Sequence, residues 1–184
     1  LLPAFSKLNS QEETETLRNV FRFSVKFGAF LVVPSAMAII TLSQPAVSAI
    51  FGDEYSYAPA FLALLTVGSL YSAFGSLSVG NLINSQGRTG VNLALALLTS
   101  AIGFPMSLIL IPRFGIIGLI ATSLSAGLPS LIVGLRWVRI HFDATVDWVS
   151  SAKILLSSAI AAAVTYLVMF ELIDSSWIRL AVGA

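Results

Sequence analysis

The chain has no cysteine and one histidine, His141, among its 184 residues. Disulfides and thiolate metal sites are excluded, and a histidine-based metal site has too few ligands. Charge is the greater shortage. Asp, Glu, Lys and Arg together make up 10% of the residues, where a soluble globular chain carries about 25%. Such a chain cannot cover a sphere in water. Hydrophobic residues reach 57% and the mean hydropathy is +0.91, which is a membrane composition. No basic cluster is dense enough to track a phosphate backbone, so the net charge of +1 does not point to nucleic acid. A basic n-region followed by a cleavage site is also missing, so nothing reads as a signal peptide.

What is present is a series of long uncharged runs. No charged residue lies between Lys26 and Asp53, Glu54 and Arg88, Arg88 and Arg113, Arg113 and Arg136, or Lys153 and Glu171. A helix needs about 20 apolar residues to cross the hydrocarbon core. The runs predict spans over 22–43, 58–83, 91–111, 116–139 and 152–171, with a truncated sixth starting near 176. They lack the alternation of a membrane barrel strand. The fold class expected is all-α, a polytopic transmembrane helix bundle. LLPAF at the start reads as the last turn of an apolar helix and WIRLAVGA at the end as a renewed run, so a piece of a longer membrane protein is expected.

The stretch IPRFG between two of these runs predicts a tight turn, with Pro112 ending one helix, Arg113 held in water or headgroups, and Gly115 relaxing the backbone. Lys7, Arg18, Arg22, Lys26, Arg88, Arg136, Arg139 and Lys153 fall in connections on one side. Only Arg113 and Arg179 fall on the other, alongside Asp53, Glu54, Glu171 and Asp174. By the positive-inside rule the first side is cytoplasmic. Tyr55, Tyr57 and Trp177 suit an aromatic belt at the opposite face.

Two segments do not read as spans. SQEETETLRNVFRFSVKF offers Ser10 as N-cap with Glu13 three residues on, a capping-box spacing. Its Arg18, Arg22 and Lys26 recur every four residues as a basic stripe. Each of these cations contributes about 1 kcal/mol as an anchor near anionic headgroups, or guanidinium groups contact a phosphate-bearing lipid substrate. Arg88, in the turn NSQGRTG, has the same two readings. The other segment, RWVRIHFDATVDWVSSAK, reads as a cytoplasmic surface helix or loop.

Within the spans, small residues recur at every fourth position. One set is Gly68, Ser72, Ser76 and Gly80, followed by Asn84; the other is Gly118, Thr122, Ala126, Ser130 and Gly134. That spacing places each set on one helix face, where it permits close helix packing or lines a polar cavity. Pro34, Pro105 and Pro129 fall inside spans; each either kinks a packed helix or serves as a hinge. No ionisable residue occupies the middle of a complete span, so a proton relay or ion site has no footing here. Nothing matches a Ser–His–Asp set, an HExxH helix or a Walker loop. Asp143 and Asp147 stand near a membrane face without a partner motif, and neither catalysis nor a cofactor is expected.

LLPAFSKL, the capped basic helix, VVPSAM, IFGDEYSYA, NSQGRTGVNLALAL and IPRFGIIGLIATSLS follow one another in this order over Leu1 to Arg139. The series resembles polysaccharide flippases of the multidrug/oligosaccharidyl-lipid/polysaccharide exporter superfamily, in their C-terminal region. The resemblance implies a two-lobe transporter around a central cavity. It would flip a polyprenyl-pyrophosphate-linked oligosaccharide to the outer leaflet of the cytoplasmic membrane by alternating access. Residues 1–139 would belong to the C-terminal lobe, incomplete at its N-terminus. Residues 140–184 would hold a surface segment and a truncated additional helix pair. Implied partners are the bilayer, the N-terminal lobe of the same protein and the lipid-linked oligosaccharide. A drug/cation antiporter of the same superfamily is the alternative, and would need acidic residues within spans. A non-transporting scaffold for glycan assembly is another, and a peptidoglycan-precursor flippase is a near neighbour of the first reading.

Overall fold

A computed structural model describes residues 14–51 and 53–174. Helix α1 runs over Thr14–Phe51, 38 residues, which at the α-helical rise is about 57 Å. The hydrocarbon core is about 30 Å thick, so α1 both crosses it and projects beyond. A short turn of 3₁₀ helix at Asp53–Tyr55 leads to α2, Ala58–Val67. Then come a 3₁₀ stretch at Gly68–Phe74 and α3, Ser76–Ser85. Helices α4 (Thr89–Phe114) and α5 (Ile116–Phe142) form a hairpin, and α6 occupies Trp148–Asp174. Among the described residues, four helices are long and apolar enough to span a membrane, and the bent pair from Ala58 to Ser85 makes up to five.

The chain is therefore an all-α polytopic bundle, and its burial pattern is that of a membrane protein. The most apolar window of α4 has no buried residue at all. Phe23, Phe27, Phe30, Leu97, Phe104 and Leu108 are all exposed. In water such a surface would aggregate; in lipid it needs no partner. The buried residues gather instead in two places. Leu17, Phe21 and Val25 of α1, Val79, Leu82 and Ile83 of α3, Val138 of α5, and Ala144 and Val146 form one cluster. It lies at the end of the bundle that carries Arg18, Arg22, Lys26, Arg88, Arg136, Arg139 and Lys153. A smaller cluster of Ala29, Val33 and Ala73, flanked by Leu70, Ile154 and Leu155, packs α1 against the 3₁₀ stretch and α6. Leu17, Phe21 and Val25 thus bring one face of α1 into the first cluster, the headpiece core.

Three sequence expectations change. The span drawn continuous over 58–83 is broken: α3 departs from the preceding helix by 56°. The break is at Gly75, whose φ of 88° and ψ of 16° are left-handed. Glycine takes that conformation without a steric penalty, and a Cβ there would also meet Val25 and Val146 at 3.2 and 3.4 Å. Pro112 does not end its helix, because α4 continues to Phe114. A proline disturbs mainly the carbonyl four residues before it, here that of Leu108, and leaves the following turn intact. Gly115 alone makes the reversal, with φ 58° and ψ −130°, and its N–H bonds the Ile111 carbonyl at 2.8 Å. The first span, drawn over 22–43 with the basic stripe running into it, is longer than drawn, since the one helix that holds both continues to Phe51. The Ser10–Glu13 capping box, Lys7, Trp177, Arg179 and the sixth span near 176 lie outside the described residues.

Candidate functional site

The antiparallel order of helices brings the described basic residues to one end of the bundle and Arg113 with Asp53 and Glu54 to the other. At the basic end the stripe Arg18, Arg22, Lys26 faces residues 143–147, which join α5 to α6. Arg18 Nη2 donates to Asp143 Oδ2 at 2.6 Å, and Arg22 Nη2 donates to Thr145 Oγ1 at 3.1 Å. Asp147 is held below the usual carboxylate range. Hydrogen bonds from the Ser150 side chain and backbone lower it first, a backbone bond from Val149 adds to this, and the Lys26 charge makes a further contribution. Its two oxygens accept from Ser150 Oγ at 2.6 Å and Ser150 N at 3.2 Å, which caps the start of α6. Asp143 has a positive φ of 49°, which an aspartate tolerates at a helix end. Sequence reading set Asp143 and Asp147 aside for want of a partner; their partners are on α1 and on α6 itself.

Arg88 is exposed in the turn before α4, and Arg136 and Arg139 are exposed on α5. Arg18–Asp143 is the ion pair among the described residues. His141 stacks on Trp137 with ring centroids 4.2 Å apart. No group of three or more His, Asp or Glu among the described residues could hold a metal ion.

The second small-residue set packs the hairpin. Gly118, Thr122, Ala126 and Gly134 of α5 are buried. A Cβ on Gly118 would run into the Leu110 carbonyl, and one on Gly103 would come within 3.3 Å of the Ala126 Cβ. Ser130 Oγ donates to the Leu95 carbonyl at 2.9 Å and also meets the Thr99 hydroxyl. The first set is divided by the break at Gly75. A Cβ on Gly68 would come within 3.2 Å of the Leu124 side chain, and Ser72 is buried with no hydrogen-bond partner for its hydroxyl. Ser76 and Gly80 instead line a cleft of about 300 Å³ between α3, α4 and α5, with Asn92, Thr99 and Ser130. Asn92 Nδ2 donates to Asn84 Oδ1 at 3.1 Å beside it. The cleft is uncharged and mostly apolar, with Val79, Leu95, Ala96 and Leu131 beside these hydroxyl and amide groups.

Pro34 borders a groove of about 250 Å³ between α1 and α6, with Met37, Thr41, Ser158 and Thr165. Pro105 and Pro129 lie within α4 and α5. Sequence reading did not single out Pro45, which α1 also contains.

Residues 1–181 match the family of lipid II flippase MurJ. The probable low-salt glycan biosynthesis flippase Agl15 of Haloferax volcanii is 20% identical over 165 residues, 87% of this chain and 35% of that protein. Capsular polysaccharide biosynthesis protein CapF of Staphylococcus aureus is 27% identical over 117 residues, 64% of this chain and 29% of that protein. An uncharacterized membrane protein of Methanocaldococcus jannaschii, MJ1068, is 24% identical over 107 residues, 58% of this chain and 20% of its own. The chain thus spans about a third or less of the curated relatives it matches. No solved structure matches it. With nearly its whole length matched, the chain belongs to the MurJ lipid II flippase family.

Proposed function

We propose that this chain is part of a membrane flippase for glycan biosynthesis, and that it moves a polyprenyl-pyrophosphate-linked oligosaccharide across the cytoplasmic membrane by alternating access. The family match over residues 1–181 carries the reading. Two relatives whose names concern glycan or capsular polysaccharide biosynthesis support it. In this reading residues 1–139 belong to a C-terminal lobe that works against an N-terminal lobe of the same protein, and the basic end faces the cytoplasm. The protein is a transporter and not a catalyst. Lys26, Arg88 and the part of the Arg22 guanidinium not bonded to Thr145 contact anionic headgroups or the pyrophosphate, while Arg18 is engaged with Asp143. Pro34, Pro105 and Pro129 act as hinges, and Pro34 has the α1–α6 groove beside it to bend into.

The test is transport by the whole protein in proteoliposomes, using a fluorescent lipid-linked oligosaccharide and an impermeant quencher. Movement of the label to the protected leaflet, absent from protein-free vesicles, is the expected result. No movement, with the lipid-linked glycan failing to assemble in cells lacking the protein, would favour a scaffold.

A further inference from the structure

We propose that residues 143–147 form a fixed strap that fastens α6 to α1 at the basic end of the bundle. Three observations converge on it. First, the spacings match. Arg18, Arg22 and Lys26 are four residues apart, about 6 Å along a helix. Asp143, Thr145 and Asp147 are two apart, about 6.6 Å along an extended chain. The strap therefore runs alongside α1 with each second residue opposite the next basic side chain. The first two steps are hydrogen bonds of 2.6 and 3.1 Å; in the third Lys26 follows the same spacing without an ion pair and its charge acts only weakly on Asp147.

Second, the residues between face the other way. Ala144 and Val146 are 2% and 6% exposed and belong to the headpiece core with Leu17, Phe21 and Val25. A hydrophilic edge meets the stripe while an apolar edge meets the core. Third, both ends of the strap are fixed. Asp143 closes α5 in the left-handed region, and Asp147 caps α6 through Ser150. Val146 also packs at the point where Gly75 breaks the neighbouring span. A helix tied this way cannot leave α1 at this end without exposing Ala144 and Val146, so the start of α6 moves as one body with the part of α1 that precedes Pro34. The apolar edge holds the strap, and the ion pair sets its register. The pair is partly exposed, which limits its contribution to that of a surface ion pair.

The absence of cysteine from this chain makes a clean reporter possible. In the full-length protein, with any cysteine elsewhere replaced, Ala144→Cys and Val146→Cys are labelled in open membranes with a soluble maleimide. Thr89→Cys, at an exposed position of the same end, is the reference. Both strap cysteines should react at least roughly tenfold more slowly than the reference, because they react only through local opening. The protection should be the same in energised and de-energised membranes. Labelling as fast as Thr89→Cys, or protection lost in either condition, overturns the fixed strap. In the Ala144→Cys background, Arg18→Ala and Asp143→Ala should each raise labelling roughly two- to fivefold, the range of a surface ion pair. The double variant should rise no further; additive increases would remove the pair from the strap. None of these measurements depends on which lipid is flipped.

Discussion

Gly118 of α5 lies so close beneath Leu110 of α4 that a single methyl group on it would run into the Leu110 carbonyl. Backbone cannot rotate away as a side chain can. Gly118→Ala should therefore force the hairpin apart and destabilise the protein by about 1–3 kcal/mol, the range for overpacking a tight interface. Gly127 lies on the same helix with nothing within 4 Å. Gly127→Ala should be neutral or slightly stabilising, since alanine is the better helix former by about 1 kcal/mol. Thermal unfolding in detergent separates the two; equal behaviour would mean that the α4–α5 approach is looser than described.

Gly75→Ala places a β-carbon in the left-handed region, at about 1–2 kcal/mol, and against Val25 and Val146. The variant should either melt earlier or straighten the span and lift α3 from the headpiece core. A lower melting temperature, with faster proteolysis between α3 and α4, is the expected pair of observations. A variant that melts as the parent does would mean that the break is not set by this residue.

These two glycines also mark how far the sequence carries. The hairpin was legible because charges bracket both helices and because Gly118, Thr122, Ala126, Ser130 and Gly134 keep one face throughout. The break at Gly75 was not, because Gly75 is off the every-fourth-residue pattern that drew attention to Gly68, Ser72, Ser76 and Gly80. An isolated glycine in an apolar run fits a helix as well as a kink. The length of α1 was hidden for another reason. The basic stripe reads as running into the span, but the uncharged run that continues to Gly52 carries no mark of how far the helix extends. The strap was hardest to read, since the alternation in DATVD is too short to stand out and its partners lie on α1.

The acid limit of stability should report on Asp147. Its carboxyl is held below its ordinary value of 3.8 mainly by the Ser150 hydroxyl. A depressed folded-state pKa gives stability that is present above the unfolded value and lost as pH falls through the folded one. Ser150→Ala should bring the Asp147 pKa back up and reduce stability near neutral pH. The melting temperature of the variant should also fall less steeply than the parent's as pH drops from about 5 to below 3.8. If parent and variant lose stability in parallel over that window, Asp147 does not cap α6.

The orientation proposed from the basic end has a direct test. With one cysteine at a time in intact cells, Asp53→Cys should react with an impermeant thiol reagent and Arg88→Cys should not. The opposite pattern would invert the protein, and with it the assignment of the stripe to the cytoplasmic leaflet.

Pro34 separates hinge from scaffold. It lacks the N–H that would bond the Phe30 carbonyl, so α1 is weakened one turn beyond Ala29 of the buried α1–α6 contact. The groove between α1 and α6 leaves space on that side. Pro34→Ala restores the hydrogen bond and should stabilise α1 as a straight rod. If bending at this point is part of the transport cycle, glycan flipping per molecule should fall several-fold while the amount of folded protein in the membrane is unchanged. Were the proline needed only to fit α1 against α6, folded protein and flipping would decline together and the rate per molecule would stay at the parent level.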